Sequence, residues 1–346
     1  MKSFIVIESR QCNFRCEYCF ETHKKGKMSK GVAEQVVNVA IANGIGHISI
    51  FGGEPLLNWG VIVHMIRYAE NVNANLRFSL ITNGFLLDEA KLDFIKKCKI
   101  DLAISFDGIK HNTKRILKDG NQTTESVMSK IRMAIDSGCQ LAICPVITAD
   151  AIEGISSDYI ELYELGVSRI LPAIDEKSFG WTEEKFALLK QEYEIICDYC
   201  IKKFSAQTAI DFDDFRPLYE ARYLKIRTVC NSCSFGQNNF VVDTNGDIYP
   251  CIQFMDSRLN VIGNIFSQLD KRTLDMQKEQ FSTPLFDKCS ACEYSWYCHS
   301  TCACRNYAKT KGWNIRPNCE LVKMKLGMLE KYKILLEEER NDYNGT

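Results

Sequence analysis

Three cysteines near the start of the chain stand in the string Cys12-Asn13-Phe14-Arg15-Cys16-Glu17-Tyr18-Cys19. Three thiolates within one short loop can each reach one iron of a [4Fe–4S] cube. No fourth cysteine lies nearby, so one iron would stay open to a small molecule, as a catalytic cluster requires. The same string also reads as a zinc site, with His23 as a near fourth ligand, or as three buried structural thiols. A second group lies towards the C-terminus. Cys233, Gly246 and Cys251 are spaced C-x12-G-x4-C, with Cys230 just ahead of them. Cys289-x2-Cys292-x5-Cys298-x3-Cys302 follows, and then Cys319. Its C-x2-C and C-x3-C pairs would also suit a zinc ribbon. The chain holds 17 cysteines, an odd number that disulfide pairing alone cannot use. In a reducing compartment such density argues for metal.

These loops must be held by something. From residue 3 to about 175 the sequence alternates strand-like and helix-like runs. The strand-like runs are Phe4–Glu8, His47–Phe51, Arg77–Ile81, Leu102–Ser105, Gln140–Ile147 and Ser168–Pro172, short and apolar as strands buried on both faces are. Helices are expected from a Ser29 cap to about Ala42, and over roughly 58–71, 88–98, 124–137 and 151–165. Six such repeats predict an α/β fold: a partial (β/α)6 TIM-like barrel, curved and partly open. Barrels of this kind carry their chemistry in the loops after the strands. Cys12–Cys19 follows the first strand, Gly52-Gly53-Glu54-Pro55 the second and Thr82-Asn83-Gly84 the third, while Ser105-Phe106-Asp107-Gly108 ends the fourth. A long helix is expected from Trp181 to about Phe204, then a mixed bridging segment over 206–229. The region 230–346 opens with a hairpin (Phe240–Val242 and Ile248–Tyr249, turning through Asn245-Gly246) and ends in a helix over 319–341. The expected domains are thus 1–205, the bridge, and 230–346.

Net charge is −1, so no basic field points to nucleic acid or to an anionic membrane. The only early apolar run, Phe4 to Ile7, is too short for a signal peptide or a membrane span, and a cytoplasmic protein is expected. Cys98, Cys139, Cys144, Cys197 and Cys200 read as structural thiols, and His47, His111 and His299 have no ligand-like company.

The C-x3-C-x2-C loop, with an aromatic residue before its last cysteine, resembles the signature of the radical S-adenosylmethionine (SAM) superfamily. The resemblance implies that SAM chelates the open iron and is cleaved to a 5′-deoxyadenosyl radical, which takes a hydrogen from the substrate. Gly52-Gly53-Glu54-Pro55 matches the superfamily's GGEP motif. By resemblance, backbone groups of Gly52 and Gly53 and the Glu54 carboxylate would meet the SAM amino group. Asn83, Ser105 and Arg115 fall where relatives contact SAM, and Tyr18 would cover the cluster or the adenine. The C-terminal array resembles the SPASM extension of peptide- and protein-modifying members, which implies two auxiliary [4Fe–4S] clusters and three in all. The first would take Cys233, Cys251 and Cys302, with Cys230 as fourth ligand. The second would take Cys289, Cys292, Cys298 and Cys319.

No GxSxG, Walker A loop or dinucleotide fingerprint is present. The reaction is therefore expected to start with hydrogen abstraction, and the resemblance to peptide-modifying members implies maturation of a ribosomally made precursor peptide, by thioether or other side-chain crosslinking. The resemblance also admits an anaerobic sulfatase maturase, which makes formylglycine, or a peptide epimerase. Sulfatase maturases carry an Asp after the cysteine that corresponds to Cys251, and here that residue is Ile252. A non-catalytic iron–sulfur carrier or scaffold is the reading from another class. The first strand begins at residue 4, so no N-terminal leader-binding domain is expected. Peptide recognition would fall to a separate protein or to the barrel itself, and a flavodoxin or ferredoxin is the reductant the family implies.

Overall fold

A computed structural model describes residues 3–21, 25–175, 180–205, 211–212, 222–223, 239–267, 269–281, 291–292, 294, 307, 310–312 and 316–332. In chain order these form β1 (Ser3–Ser9), α1 (Lys30–Ala42), β2 (His47–Gly52), α2 (Trp59–Asn71), β3 (Arg77–Thr82), α3 (Glu89–Lys97), β4 (Asp101–Ile104) and α4 (Thr124–Asp136). There follow β5 (Leu141–Ile143), β6 (Val146–Ile147), α5 (Ile155–Glu164), β7 (Arg169–Ile170), β8 (Ala173–Ile174), α6 (Glu183–Ser205) and β9 (Asp211–Phe212). The chain closes with β10 (Asn239–Val242), β11 (Asp247–Tyr249), β12 (Gly263–Asn264), α7 (Lys271–Phe281) and α8 (Arg316–Tyr332). The result is a mixed α/β fold with a parallel sheet, in the manner of a partial TIM-like barrel. No helix among the described residues is long and apolar enough to cross a membrane.

The residues divide into two compact units. The first comprises Met1–Phe106, Asn112–Leu141 and Cys233–Ser282. Its parallel strands run β1 to β4 in sequence order, with Phe4 opposite Ile48, Ile48 opposite Phe78, and Leu80 opposite Leu102. Val6, Ile7, Ile48, Ile50, Leu80 and Ile104 are fully buried, as two-sided burial of apolar runs requires. The Ser29 side chain caps α1 by accepting from Val32 N, and Val32, Ala33, Val36, Val37 and Ala40 form its buried stripe. Asp88 caps α3 in the same way, and Lys96 and Lys97 complement the negative end of its dipole.

The expected hairpin forms as β10 and β11, antiparallel, with Val242 opposite Ile248. Its surroundings differ from the sequence reading. β10 pairs in parallel with β1, setting Phe240 beside Phe4 and Val242 beside Val6. The hairpin therefore continues the sheet that carries the first cysteine loop, and it covers the edge that β1 would otherwise expose.

The second unit comprises Asp107–His111, Ala142–Ser232 and Thr283–Thr346. The single strand expected over 140–147 is broken at Pro145, and the one over 168–172 ends before Pro172. The pieces pair in parallel, Ile143 with Ile170 and Ile147 with Ile174. Tyr159 and Leu162 of α5, Leu189 and Tyr193 of α6, and Leu326 and Leu329 of α8 are buried. So are Cys197 and Cys200, one turn apart on α6. Gly327 lies within α8, exposed, with open space where a Cβ would stand. Gly327→Ala is expected to stabilise the unit by about 1 kcal/mol, read as a higher urea midpoint with an unchanged slope.

Candidate functional site

The first three strands deliver their loops to one place. β1 ends at Ser9, and its loop carries Cys12, Cys16 and Cys19. β2 ends at Gly52, opposite Ser9, with a register irregularity between Ile7 and Ser9. Beyond that pair the two loops stay bonded. Gly53 N–H donates to Ser9 O at 2.7 Å, and Glu54 N–H donates to Gln11 O at 2.7 Å. The approach is so close that a Cβ on Gly53 would lie 2.4 Å from Gln11 O, and one on Gly52 2.4 Å from Ser9 O. Here glycine is needed for space between two backbones.

Glu54 is held by three donors within the protein. Its side chain is fully buried and turned into the protein. Oε1 accepts from Thr82 Oγ1 at 2.6 Å and from Leu56 N at 2.9 Å, and Oε2 accepts from Asn83 N at 2.8 Å. Burial raises its pKa and these three donors oppose that. The carboxylate thus locks the loop after β2 to the end of β3.

The end of β3 reaches the first cysteine. Asn83 Nδ2 lies 3.8 Å from Cys12 Sγ and donates to Asn13 Oδ1 at 2.8 Å. Phe14 N–H also points at Cys12 Sγ, at 3.3 Å. Ser105 is half-buried, and its N–H donates to Thr82 O at 2.8 Å, bringing the end of β4 alongside.

The cysteine loop has a brace that the sequence did not announce. Residues 114–118 run antiparallel to it: Arg15 N–H donates to Ile116 O, Glu17 N–H to Lys114 O and Lys118 N–H to Asn13 O. Within this brace Arg115 is buried, and its guanidinium sits 5.2 Å from the centre of the Tyr18 ring. Two residues expected to contact SAM therefore meet each other, and one face of Tyr18 is taken.

A second fastening was also invisible in sequence. Arg10, two residues before Cys12, is buried and holds Asp243 in the β10–β11 turn through two hydrogen bonds of 2.9 and 2.6 Å. It also reaches Glu21 at 3.2 Å and Met255 O at 3.2 Å. Burial works against the guanidinium's charge, but the hydrogen bonds and attraction of Asp243, with Glu21, outweigh it and raise its pKa. Because Asp243 and Met255 flank Cys251 in sequence, this one cation fixes the segment bearing Cys251 to the start of the cysteine loop.

Cys251 is half-buried and directly precedes the 3-10 turn Ile252–Phe254. In the second unit Cys292 and Cys319 are far apart in sequence, yet both lie near the Lys323 ammonium. Its pKa is raised first by its hydrogen bond to Glu320 and further by these two thiols. Cys230, Cys233, Cys289, Cys298 and Cys302, like His23, lie outside the described residues.

His111 had no company in sequence and has it in space. In the second unit its Nδ1 is 2.7 Å from Asp158 Oδ2, and its Nε2 is 3.0 Å from Glu153 O. Only an imidazolium can donate to both. Its pKa is raised, chiefly by the hydrogen bond to Asp158. Glu192 is near as well, with its carboxylate spent on Gly154 N and Ser156 N. A raised histidine pKa means that the stabilisation is whole below the unfolded value of 6.5 and is lost as pH climbs through the higher folded value. Urea unfolding at about pH 6 and about pH 8.5 is expected to show this loss in the wild type and a flatter profile in His111→Gln.

The residues present fit an iron–sulfur cluster. Burial pushes the Cys12 thiol up to about 12, and Glu54, Cys16 and Cys19 push in the same direction. Such a thiol keeps its proton unless a metal cation replaces it. Asn13 Nδ2 is buried there without an acceptor. Among the described residues no three of His, Cys, Asp and Glu gather round a point closely enough to hold a single ion.

Known proteins agree with this geometry. The family profile "Radical SAM superfamily" matches residues 6–159. A cysteine-type anaerobic sulfatase-maturating enzyme of Clostridium perfringens is 23% identical over 346 aligned residues, covering 91% of this chain and 92% of its own. The radical SAM cyclopropyl synthase TigE of Paramaledivibacter caminithermalis is 23% identical over 46% of this chain, a match spanning only 38% of TigE. Among solved structures, native anSMEcpe with bound AdoMet and Cp18Cys peptide superposes with a TM-score of 0.78 at 22% identity, covering 98% of this chain and 99% of that one. Streptococcus suis SuiB bound to S-adenosylmethionine gives 0.67 at 18% identity, over 88% and 73%. With the cysteine loop, the glycine loop and the end of β3 joined as described, residues 6–159 form a radical SAM domain.

Proposed function

We propose that this enzyme is a peptide maturase which oxidatively modifies a side chain of a precursor peptide, with a thioether or other side-chain crosslink as its product. The observation that carries the reading is the extent of the similarity to a sulfatase maturase. It runs over 91% of the chain and so extends well beyond the radical SAM domain. The superposition on a maturase bound to AdoMet and a peptide, and that on SuiB bound to its precursor peptide SuiA, support a peptide substrate.

Cys12, Cys16 and Cys19 would hold the cluster. When bound, the cluster and SAM supply the 5′-deoxyadenosyl radical that takes a substrate hydrogen. The chain's own part is placement. The Gly52-Gly53 backbone gives SAM a close approach, Glu54 fixes the loop that does so, and the brace at 114–118 holds the cysteine loop against it. Auxiliary clusters on the C-terminal cysteines would receive the electron that an oxidative crosslink releases, and a flavodoxin or ferredoxin would reduce the enzyme. A separate recognition protein, or the barrel itself, would bind the peptide.

Formylglycine formation is the second reading, favoured by the name of the relatives that cover 91% and 87% of the chain. Against it stands Ile252, which puts no carboxylate after Cys251. The test is to reconstitute the protein anaerobically, add SAM, a reductant and a cysteine-bearing peptide, and follow both products. We expect 5′-deoxyadenosine and a peptide lighter by two hydrogens. A peptide whose thiol has become an aldehyde would select the second reading. Deoxyadenosine formation that survives in the Cys12→Ala, Cys16→Ala, Cys19→Ala triple variant would remove both.

A further inference from the structure

From sequence, Asn83 was expected to contact SAM. In the structure its amide faces the cysteine loop. We propose that Asn83 and Asn13 form a pair of amides that donates N–H hydrogen bonds to the sulfur atoms around the N-terminal cluster, raising its reduction potential. The inference rests on the proposed placement of a cluster on Cys12, Cys16 and Cys19.

The orientation of each amide follows from its partners. Asn83 is 7% exposed, so its contacts are internal and durable. Its Oδ1 accepts from Phe85 N at 3.1 Å, and this settles which end of the amide is which. Nδ2 must then face the cysteine loop, where it lies 3.8 Å from Cys12 Sγ and 2.8 Å from Asn13 Oδ1. Because Asn13 Oδ1 is engaged by that donor, Asn13 Nδ2 is the free end of the pair. It is buried and has no acceptor in the protein. A buried donor without a partner costs about 1–3 kcal/mol, so it calls for an acceptor that the polypeptide does not provide. Beside a thiolate loop, the acceptor class that fits is cluster sulfur. Phe14 N–H at 3.3 Å from Cys12 Sγ is a third donor to the same shell.

Hydrogen bonds to the sulfurs are among the factors that set an iron–sulfur potential. Donors stabilise the reduced cluster more than the oxidised one, because the added electron raises the negative charge on sulfur. Asn83 sits at the end of β3, held by Glu54 through its own backbone N–H at 2.8 Å. The sheet therefore places this donor independently of the cysteine loop, and it stays in position when the loop takes up its cluster.

The test is a reductive titration of reconstituted full-length protein in the absence of SAM, followed by electron paramagnetic resonance. The N-terminal cluster is identified as the signal that changes when SAM is then added. Asn83→Leu keeps the volume and removes the donor. We expect unchanged iron content, a midpoint shifted to lower potential, and SAM affinity close to that of the wild type. Asn13→Leu is expected to shift the midpoint in the same direction. If Asn83→Leu fails to hold iron, Asn83→Asp, which keeps the acceptor for Phe85 N–H, is titrated in its place with the same expectation. A midpoint equal to the wild type in the variant that holds iron would overturn the inference. Weakened SAM binding with that unchanged midpoint would return Asn83 to the role of a SAM contact. If the wild type itself gives no SAM-responsive signal, the proposed function fails, which is a separate outcome.

Discussion

Arg10→Met is expected to destabilise the chain by about 3–5 kcal/mol, the usual cost of leaving buried carboxylates without their cation. The side chains of Arg10, Glu21 and Asp243 are 6%, 7% and 10% exposed, so solvent cannot take over the screening. Arg10→Lys keeps the charge but not the two-pronged contact with Asp243, and it should cost less. The pairing is checked by adding Asp243→Asn. The double variant should recover part of the loss in urea unfolding, because the two changes remove interacting partners. A loss below about 1 kcal/mol in Arg10→Met would show that the contact behaves as an exposed ion pair does. A second readout is the iron content after reconstitution. Because Arg10 joins the start of the cysteine loop to the segment around Cys251, the variant should hold less iron even in conditions where it remains folded.

Gly53→Ala is expected to reduce 5′-deoxyadenosine formation by about 100-fold or more, since displacements near 1 Å in a reacting site carry penalties of that order. The added methyl would stand 2.4 Å from Gln11 O and 2.7 Å from Gln11 C. Both are backbone atoms, so no side chain can swing away. The loops after β1 and β2 would have to part, and Cys12 follows Gln11 directly. Gly31→Ala is the control, because a Cβ at that position in α1 meets nothing within 4 Å. It should leave the rate unchanged. If Gly53→Ala turns over like the wild type, the two loops are not held as closely as their hydrogen bonds indicate.

Glu54 and His111 show where sequence reasoning reached its limit. The motif Gly52-Gly53-Glu54-Pro55 identified the loop, but the fate of its carboxylate depended on Thr82 and Asn83, which come from another strand. His111 looked solitary because its partner Asp158 is on a helix 47 residues later. Arg115 and Tyr18 were both found by position, and only their separation in space showed that they meet.

What the sequence determined by itself is local. Cysteine spacing, glycine pairs, a cap such as Ser29, and apolar runs of strand or helix period all act over a few residues, and the Ser29 cap and the strands and helices of the first unit formed close to where they were expected. Tertiary structure decided what distant segments do to one another. It set β10 beside β1, ran residues 114–118 along the cysteine loop, turned Glu54 inward and gave Arg10 its carboxylates. These contacts depend on which strand edges and buried charges come together once the chain has folded, and such long-range complementarity leaves no periodic trace in the sequence.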